Sequence, residues 1–168
     1  MLENLKERRS IRKYKPEQIT DAHLDAILEA GLYAASGMNT QNSIMVAVRD
    51  KETRDLLSKI NAEVMDVEMD PFYGAPCVIV VLADPDMPTW IDDGSLVLGN
   101  LMNAAHALGL GSCWINRARQ TFDRLEGKAL LEKWGLPERY RGVGNCILGY
   151  ADEEPALKER LKGRIIKV

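Results

Sequence analysis

The feature that most constrains this chain is Cys77-Val78-Ile79-Val80-Val81-Leu82, an apolar run with no polar residue in it. Such a run reads as a central strand, buried on both faces, so other segments must cover it above and below. The flanking sequence supplies that cover. Thr20 is a good N-cap, Ile19 and Leu24 form a hydrophobic staple around it, and Leu24, Ile27, Leu28 and Leu32 share one face of a helix that stops at Ser36-Gly37. Lys51 to Val64 reads as an amphipathic helix. From Asp92 to Leu108, the residues Leu96, Val97, Leu101, Met102, Ala104, Ala105 and Leu108 leave few polar faces, which predicts a buried core helix closed by Gly109.

Shorter elements complete the pattern. Ile44 to Val48, Gly111 to Ile115 and Val143 to Tyr150 read as strands, and Leu2 to Arg9 and Phe122 to Trp134 as helices. The order α-α-β-α-β-α-β-α-β plus a tail predicts an α+β fold, with a mixed central sheet surrounded by helices. At 168 residues the default is a single domain over 1–168 with no separate cofactor module, so any cofactor site must use the same elements that build the core. The tail, 151–168, is polar but ends in Ile165-Ile166; a terminal strand paired with the sheet of a second subunit would tie it down.

Charge and composition exclude several classes. A formal net charge of -3 offers no global field for nucleic acid or an acidic membrane surface. No stretch approaches the roughly 20 apolar residues of a membrane span, and MLENLKERRS lacks the apolar run of a secretory signal, so a cytoplasmic protein is expected. Cys77, Cys113 and Cys146 lie in apolar runs and read as buried free thiols, and His23 and His106 have no second ligand at metal spacing. No metal site is expected.

Arg8, Arg9, Arg12 and Lys13 surround Ser10, a hydroxyl able to bond an oxyanion. A phosphate suits such donors, since Arg presents planar pairs of N–H groups to its oxygens. A basic last turn that complements the negative pole of a helix is an equally good reading of these residues alone.

Arg8-Arg9-Ser10-Ile11-Arg12-Lys13-Tyr14 resembles the R-R-S-x-R-x-[FY] opening of the nitroreductase family, and Ala35-Ser36-Gly37-Met38-Asn39-Thr40-Gln41 resembles its P-S-x-x-N-x-Q segment. Ala107 to Ile115 is similar to the family's A-L-G-L-G-s-c-w run, and Gly149-Tyr150 and Lys162-Gly163-Arg164 fall at its strand-ending glycine and closing K-x-R. The resemblance implies FMN at the interface of an intertwined homodimer, with NAD(P)H as hydride donor and an electron-poor nitro or quinone compound as acceptor. It implies that Arg8, Arg9, Ser10, Lys162 and Arg164 hold the phosphate and ribityl chain and that Arg12 sits near the pyrimidine edge. A cation there stabilises the negative charge that reduction leaves on the ring. It also places Ser36, Asn39 and Gln41 against the flavin from the other subunit, and the backbone of Asn116 and Arg117 near N5. No side-chain catalyst is expected, because the flavin carries the hydride chemistry.

Asn42-Ser43 stands where the family often has Pro-Trp, and Ala35 where it has Pro. That departure motivates an alternative, a flavin-binding or flavin-sensing module without turnover. Gly109-Leu110-Gly111 lacks the third glycine of a dinucleotide loop and reads as a helix stop. Phe72-Tyr73-Gly74-Ala75-Pro76 reads as a turn with a packed aromatic, and Trp90, Trp114 and Trp134 as core or interface anchors.

Overall fold

The computed structural model describes all 168 residues. In chain order it has α1 (Leu2–Glu7), α2 (Asp21–Leu32), a 3₁₀ turn (Gly37–Asn39), β1 (Ser43–Val48), α3 (Lys51–Met65), β2 (Cys77–Ala83), α4 (Trp90–Ala107), β3 (Gly111–Ile115), α5 (Ala118–Asp123), α6 (Leu125–Lys133) and β4 (Arg141–Gly149). The strands lie in the order β1-β2-β4-β3, each neighbour antiparallel. Parallel pairing enters at the edge, through an isolated bridge between Ser10 and Ser112.

Every residue of β2 is buried, as its unbroken apolar run requires. Its side chains alternate between two cores. Cys77, Ile79 and Val81 pack with Ile19, Ile27 and Leu101 of the α2 and α4 side, whereas Val78, Val80 and Leu82 pack with Leu57, Phe122 and Leu131 of the α3, α5 and α6 side. Each such aliphatic side chain contributes about 1.5–3 kcal/mol when fully buried. Local signals fix the helices around it. Thr20 Oγ1 accepts the His23 N–H at 3.2 Å, and the staple residues Ile19 and Leu24 are both buried. At the end of α4, Gly109 adopts φ 75° while its N–H reaches the His106 carbonyl and the Leu110 N–H reaches Ala105, the paired bonds of a Schellman stop.

Three expectations need correction. Helix α2 ends at Leu32, short of Ser36-Gly37. The helix expected over Phe122 to Trp134 is two helices: Arg124 is extended (φ -85°, ψ 162°), and α6 folds back so closely that a Cβ on Gly127 would lie 2.1 Å from the Thr121 carbonyl oxygen. Helix α4 is buried on one face only, through Asp93, Gly94, Val97, Leu98, Leu101 and Ala105. Its Leu96 is 50% exposed, because nothing in the chain covers the second face.

The tail forms a bridge from Ala151 to Tyr14 and then no regular element, leaving Ile165 and Ile166 exposed. All three cysteines are free and buried. Burial pushes the Cys77 thiol up to about 11 and raises that of Cys146 as well. No helix is long and apolar enough to cross a membrane.

Candidate functional site

Helix α1 stops where Arg8 leaves helical geometry (φ -53°, ψ 130°), and Arg9 turns back so that Nη1 donates to the Lys6 and Arg8 carbonyls at 2.6 and 2.7 Å. Arg9 is thus engaged in closing its own helix, as a basic last turn would be. The chain then runs along β3: Ser10 bridges Ser112, and the Ile11 N–H donates to the Ser112 carbonyl at 3.0 Å. Gly111 permits this approach, since a Cβ there would stand 3.1 Å from Ile11.

Two polar atoms beside this bridge have no partner. Arg8 Nη1 and Ser112 Oγ are both buried and unbonded within the protein. Leaving a buried donor unpaired costs about 1–3 kcal/mol, so such pairs of groups mark a place that an acceptor-rich ligand can satisfy.

Just beyond lies a cavity of about 200 Å³ lined by Arg12, Met69, Tyr73, Trp114, Asn116 and Arg117, among others. The exposed Arg12 guanidinium lies 5.9 Å from the Tyr73 ring centroid, and the Arg12 N–H donates to the Glu153 carboxylate. Trp114 is 48% exposed and stands over Gly144, where a Cβ would meet its Nε1 at 2.3 Å. One wall is the 70–74 turn, held by Asp70. Its carboxylate accepts from Arg54, from the Ser58 hydroxyl and from the N–H groups of Phe72 and Gly74. Partial burial by itself raises the Asp70 carboxyl, yet these four donors together hold it below its ordinary value. Phe72 is fully buried, as expected of the packed aromatic, whereas Tyr73 takes φ 52° and faces the cavity.

The opposite wall is the turn after β3. Arg117 is left-handed (φ 75°, ψ 10°), its N–H donates to Asn116 Oδ1 at 2.7 Å, and the Asn116 carbonyl accepts from Asn61 Nδ2 of α3 at 2.8 Å.

Ser36, Asn39 and Gln41 form a unit of their own. The Gln41 N–H donates to Ser36 Oγ, and its side-chain amide to Asn39 Oδ1. Asp93 of α4, 3% exposed, fixes this loop by accepting from the Gly37 N–H at 2.8 Å and from the Thr89 hydroxyl at 2.9 Å. Met38, Asn39 and Gln41 all have positive φ. Among and just after them, Thr40 Oγ1, both amide atoms of Asn42 and Ser43 Oγ are buried without partners.

The structure therefore brings Arg8, Ser10, Arg12, Asn116 and Arg117 to one edge of β3. Of these, Arg12, Asn116 and Arg117 line the cavity, while Arg8 and Ser10 stand outside it, beside Ser112. Ser36, Asn39 and Gln41 do not line it either, and Lys162 and Arg164 stand exposed on the tail. Sequence reasoning missed Met65 and Met69 as wall residues and Asn61 and Asp70 as supports; a methionine pair after an amphipathic helix carries no distinctive signal, and Tyr73 was visible only within its turn motif.

Comparison with known proteins bears on this arrangement. Residues 5–150 match the model of the Nitroreductase family. A candidate NADH dehydrogenase/NAD(P)H nitroreductase of Archaeoglobus fulgidus is 36% identical over 88% of this chain and 83% of its own length. The NADPH-flavin oxidoreductase of Vibrio harveyi is 29% identical over 98% of this chain and 71% of its own. A nitroreductase of Bacteroides fragilis with bound FMN superposes with a TM-score of 0.89 at 34% identity, covering 99% of this chain and 97% of that one. One from Desulfitobacterium hafniense, also with bound FMN, does so with a TM-score of 0.89 at 28% identity over the same shares.

Proposed function

Because this chain belongs to the nitroreductase family, we propose that it is an FMN-dependent oxidoreductase that takes hydride from NAD(P)H and passes it to nitroaromatic, quinone or similar acceptors. The observation that carries this reading is the pair of unpartnered buried atoms, Arg8 Nη1 and Ser112 Oγ, flanking Ser10. A phosphate satisfies both, one as a charge-assisted donor and one as a hydroxyl donor. FMN, the ligand of the two relatives just described, carries such a group at the end of a chain long enough to leave its ring elsewhere.

On this reading Arg8, Ser10, Lys162 and Arg164 hold the phosphate and ribityl chain, while Arg12 places positive charge at the pyrimidine edge and the Asn116–Arg117 backbone meets the N5 edge. The bound flavin supplies the hydride chemistry, so the protein's task is to bind, orient and exclude competing contacts. Met65 and Met69 give the cavity a wall of adaptable thioethers, suited to acceptors of varied shape.

The chain works as a homodimer, one unit over 1–168 per copy, with each tail exchanged onto the other. Support comes from what the single chain leaves open: the exposed Leu96, Ile165 and Ile166, and the unbonded polar atoms of Thr40, Asn42 and Ser43 beside the Ser36–Gln41 loop. A second copy would bring that loop, Lys162 and Arg164 to the cavity. The expected location is the cytoplasm.

The test is the absorption spectrum of the purified protein before and after saturation with FMN and desalting. About one retained flavin per chain, bleached by NADH or NADPH and recoloured by a nitroaromatic or quinone, is the expected result. A protein that retains no FMN overturns the reading. The unbonded Asn42 and Ser43 groups, at the family's Pro-Trp position, favour a second reading as a flavin-sensing module. Flavin that stays oxidised on anaerobic mixing with either nucleotide selects it.

A further inference from the structure

Helix α3 carries a buried polar stripe. Arg54, Ser58 and Asn61 recur on its inner face, at 8%, 5% and 0% exposure. The first two hold Asp70 and so the 70–74 wall of the cavity. Asn61 holds the other wall, and the manner in which it does so is informative.

The Asn116 carbonyl and the Arg117 N–H are the two ends of one peptide unit. Asn61 Nδ2 binds the carbonyl at 2.8 Å, which turns that end toward the protein interior, and the N–H is left on the outer side with Asn116 Oδ1 at 2.7 Å. This orientation requires Arg117 to sit at φ 75°, a region that disfavours an L-residue with a side chain. Reversing the peptide turns φ of residue 117 by about half a revolution, into ordinary allowed space, and exposes the carbonyl in place of the N–H. Arg117 on its own thus prefers the reversed peptide. The bond from Asn61 is the tertiary contact that opposes that preference.

We propose that Asn61 is a positioning residue that locks the 116–117 peptide with its N–H outward, where Asn116 Oδ1 accepts from it in the empty protein and yields it to a ligand acceptor when the cavity is filled. This rests on the reading above that the flavin's N5 edge lies against these residues. An outward N–H complements oxidised flavin, whose N5 accepts a hydrogen bond, and an outward carbonyl complements reduced flavin, whose N5 carries hydrogen. The lock therefore disfavours the reduced cofactor and keeps it a ready donor of hydride.

Two measurements on Asn61→Leu test this. In a crystal structure of the flavin-free variant, φ at residue 117 is expected to turn negative. In the FMN-bound variant, the affinity for reduced relative to oxidised FMN, read from the midpoint potential, is expected to rise about fivefold, the worth of one net hydrogen bond. Loss of thermal stability with φ still positive and the potential unmoved would make Asn61 a packing residue and overturn the proposal. The flavin-free structure answers even if the protein binds no FMN, so failure of the cofactor reading stays separate from failure of the lock. Should Asn61→Leu not fold, Arg117→Gly addresses the same question from the other side. Glycine removes the left-handed penalty, so Tm should rise with φ unchanged; a fall in Tm, or no change, would mean the peptide is not held against its preference.

Discussion

The middle of the sheet and the two segments proposed to complete the site from a second copy are built on opposite terms. Strand β2 is buried along its whole length, its side chains from Cys77 to Leu82 pack alternately with the α2 and α4 side and with the α3, α5 and α6 side, and it needs nothing from outside the chain. The Ser36–Ser43 segment and the tail are the reverse: buried hydroxyls and an amide without partners in one, exposed isoleucines in the other. A single copy thus completes its core and, on the proposed reading, leaves its site partly assembled. The difference teaches that stability and binding reside in separable residues here, and it can be attacked from either side.

The largest effect should come from the self-sufficient region. Ile79→Ala is expected to destabilise the protein by about 2–5 kcal/mol in urea unfolding, through lost transfer free energy and the cavity left behind. A loss that vanished at high protein concentration or on adding FMN would break the comparison. Next, Arg8→Ala should raise the FMN dissociation constant about tenfold to a hundredfold, since a hydrogen bond to a charged group is worth about 1.5–3 kcal/mol. The same change should leave the flavin-free protein no less stable, because it removes a buried donor that had no acceptor. Fluorescence titration with FMN and thermal melts of the empty protein check the two halves.

Asp70→Asn should have a smaller effect, with a pH signature. The folded-state carboxyl titrates below its ordinary value of about 4, so its stabilising contribution is present above that value and is lost as the pH falls through the lower folded value. The stability gap between the native protein and Asp70→Asn should accordingly be constant above about pH 5 and close in more acidic solution. A gap independent of pH down to 3 would assign the contribution to shape and not to charge. Smallest of all, changing Ile165 and Ile166 together to Ser should alter the unfolding free energy of a dilute single chain by no more than about 0.5 kcal/mol. Sedimentation should nonetheless show weakened self-association. A large loss in the isolated chain would mean the tail docks on its own copy.

Much of this was readable from residues. The unbroken run of β2, the Thr20 cap and the Gly109 stop signal themselves locally, because each is fixed by short-range sterics or by burial on two faces. The basic opening was readable as a cluster, but not its division of labour: Arg9 turns back onto its helix while Arg8 keeps an unbonded nitrogen, a choice made by which way each guanidinium can reach. The break between α5 and α6 was hidden because neither proline nor a glycine pair marks it. Its signal is Gly127, which looks like a weak helix residue until Thr121 is known to lie against it. The inner face of α3 was hidden for another reason. Arg54, Ser58 and Asn61 have the period of a buried stripe and the chemistry of a solvated one, and a period cannot say which side is wet.

That stripe has a consequence for anyone who would engineer the molecule. Filling the inside of α3 with leucines is an obvious route to a tougher protein, since well-packed apolar groups often replace buried polar ones without loss or with gain. Here the same substitutions would cut both walls of the cavity loose from their common support, Asp70 on one side and the Asn116 carbonyl on the other. A library sorted only for heat resistance would enrich such variants and discard the shape of the site without registering the loss.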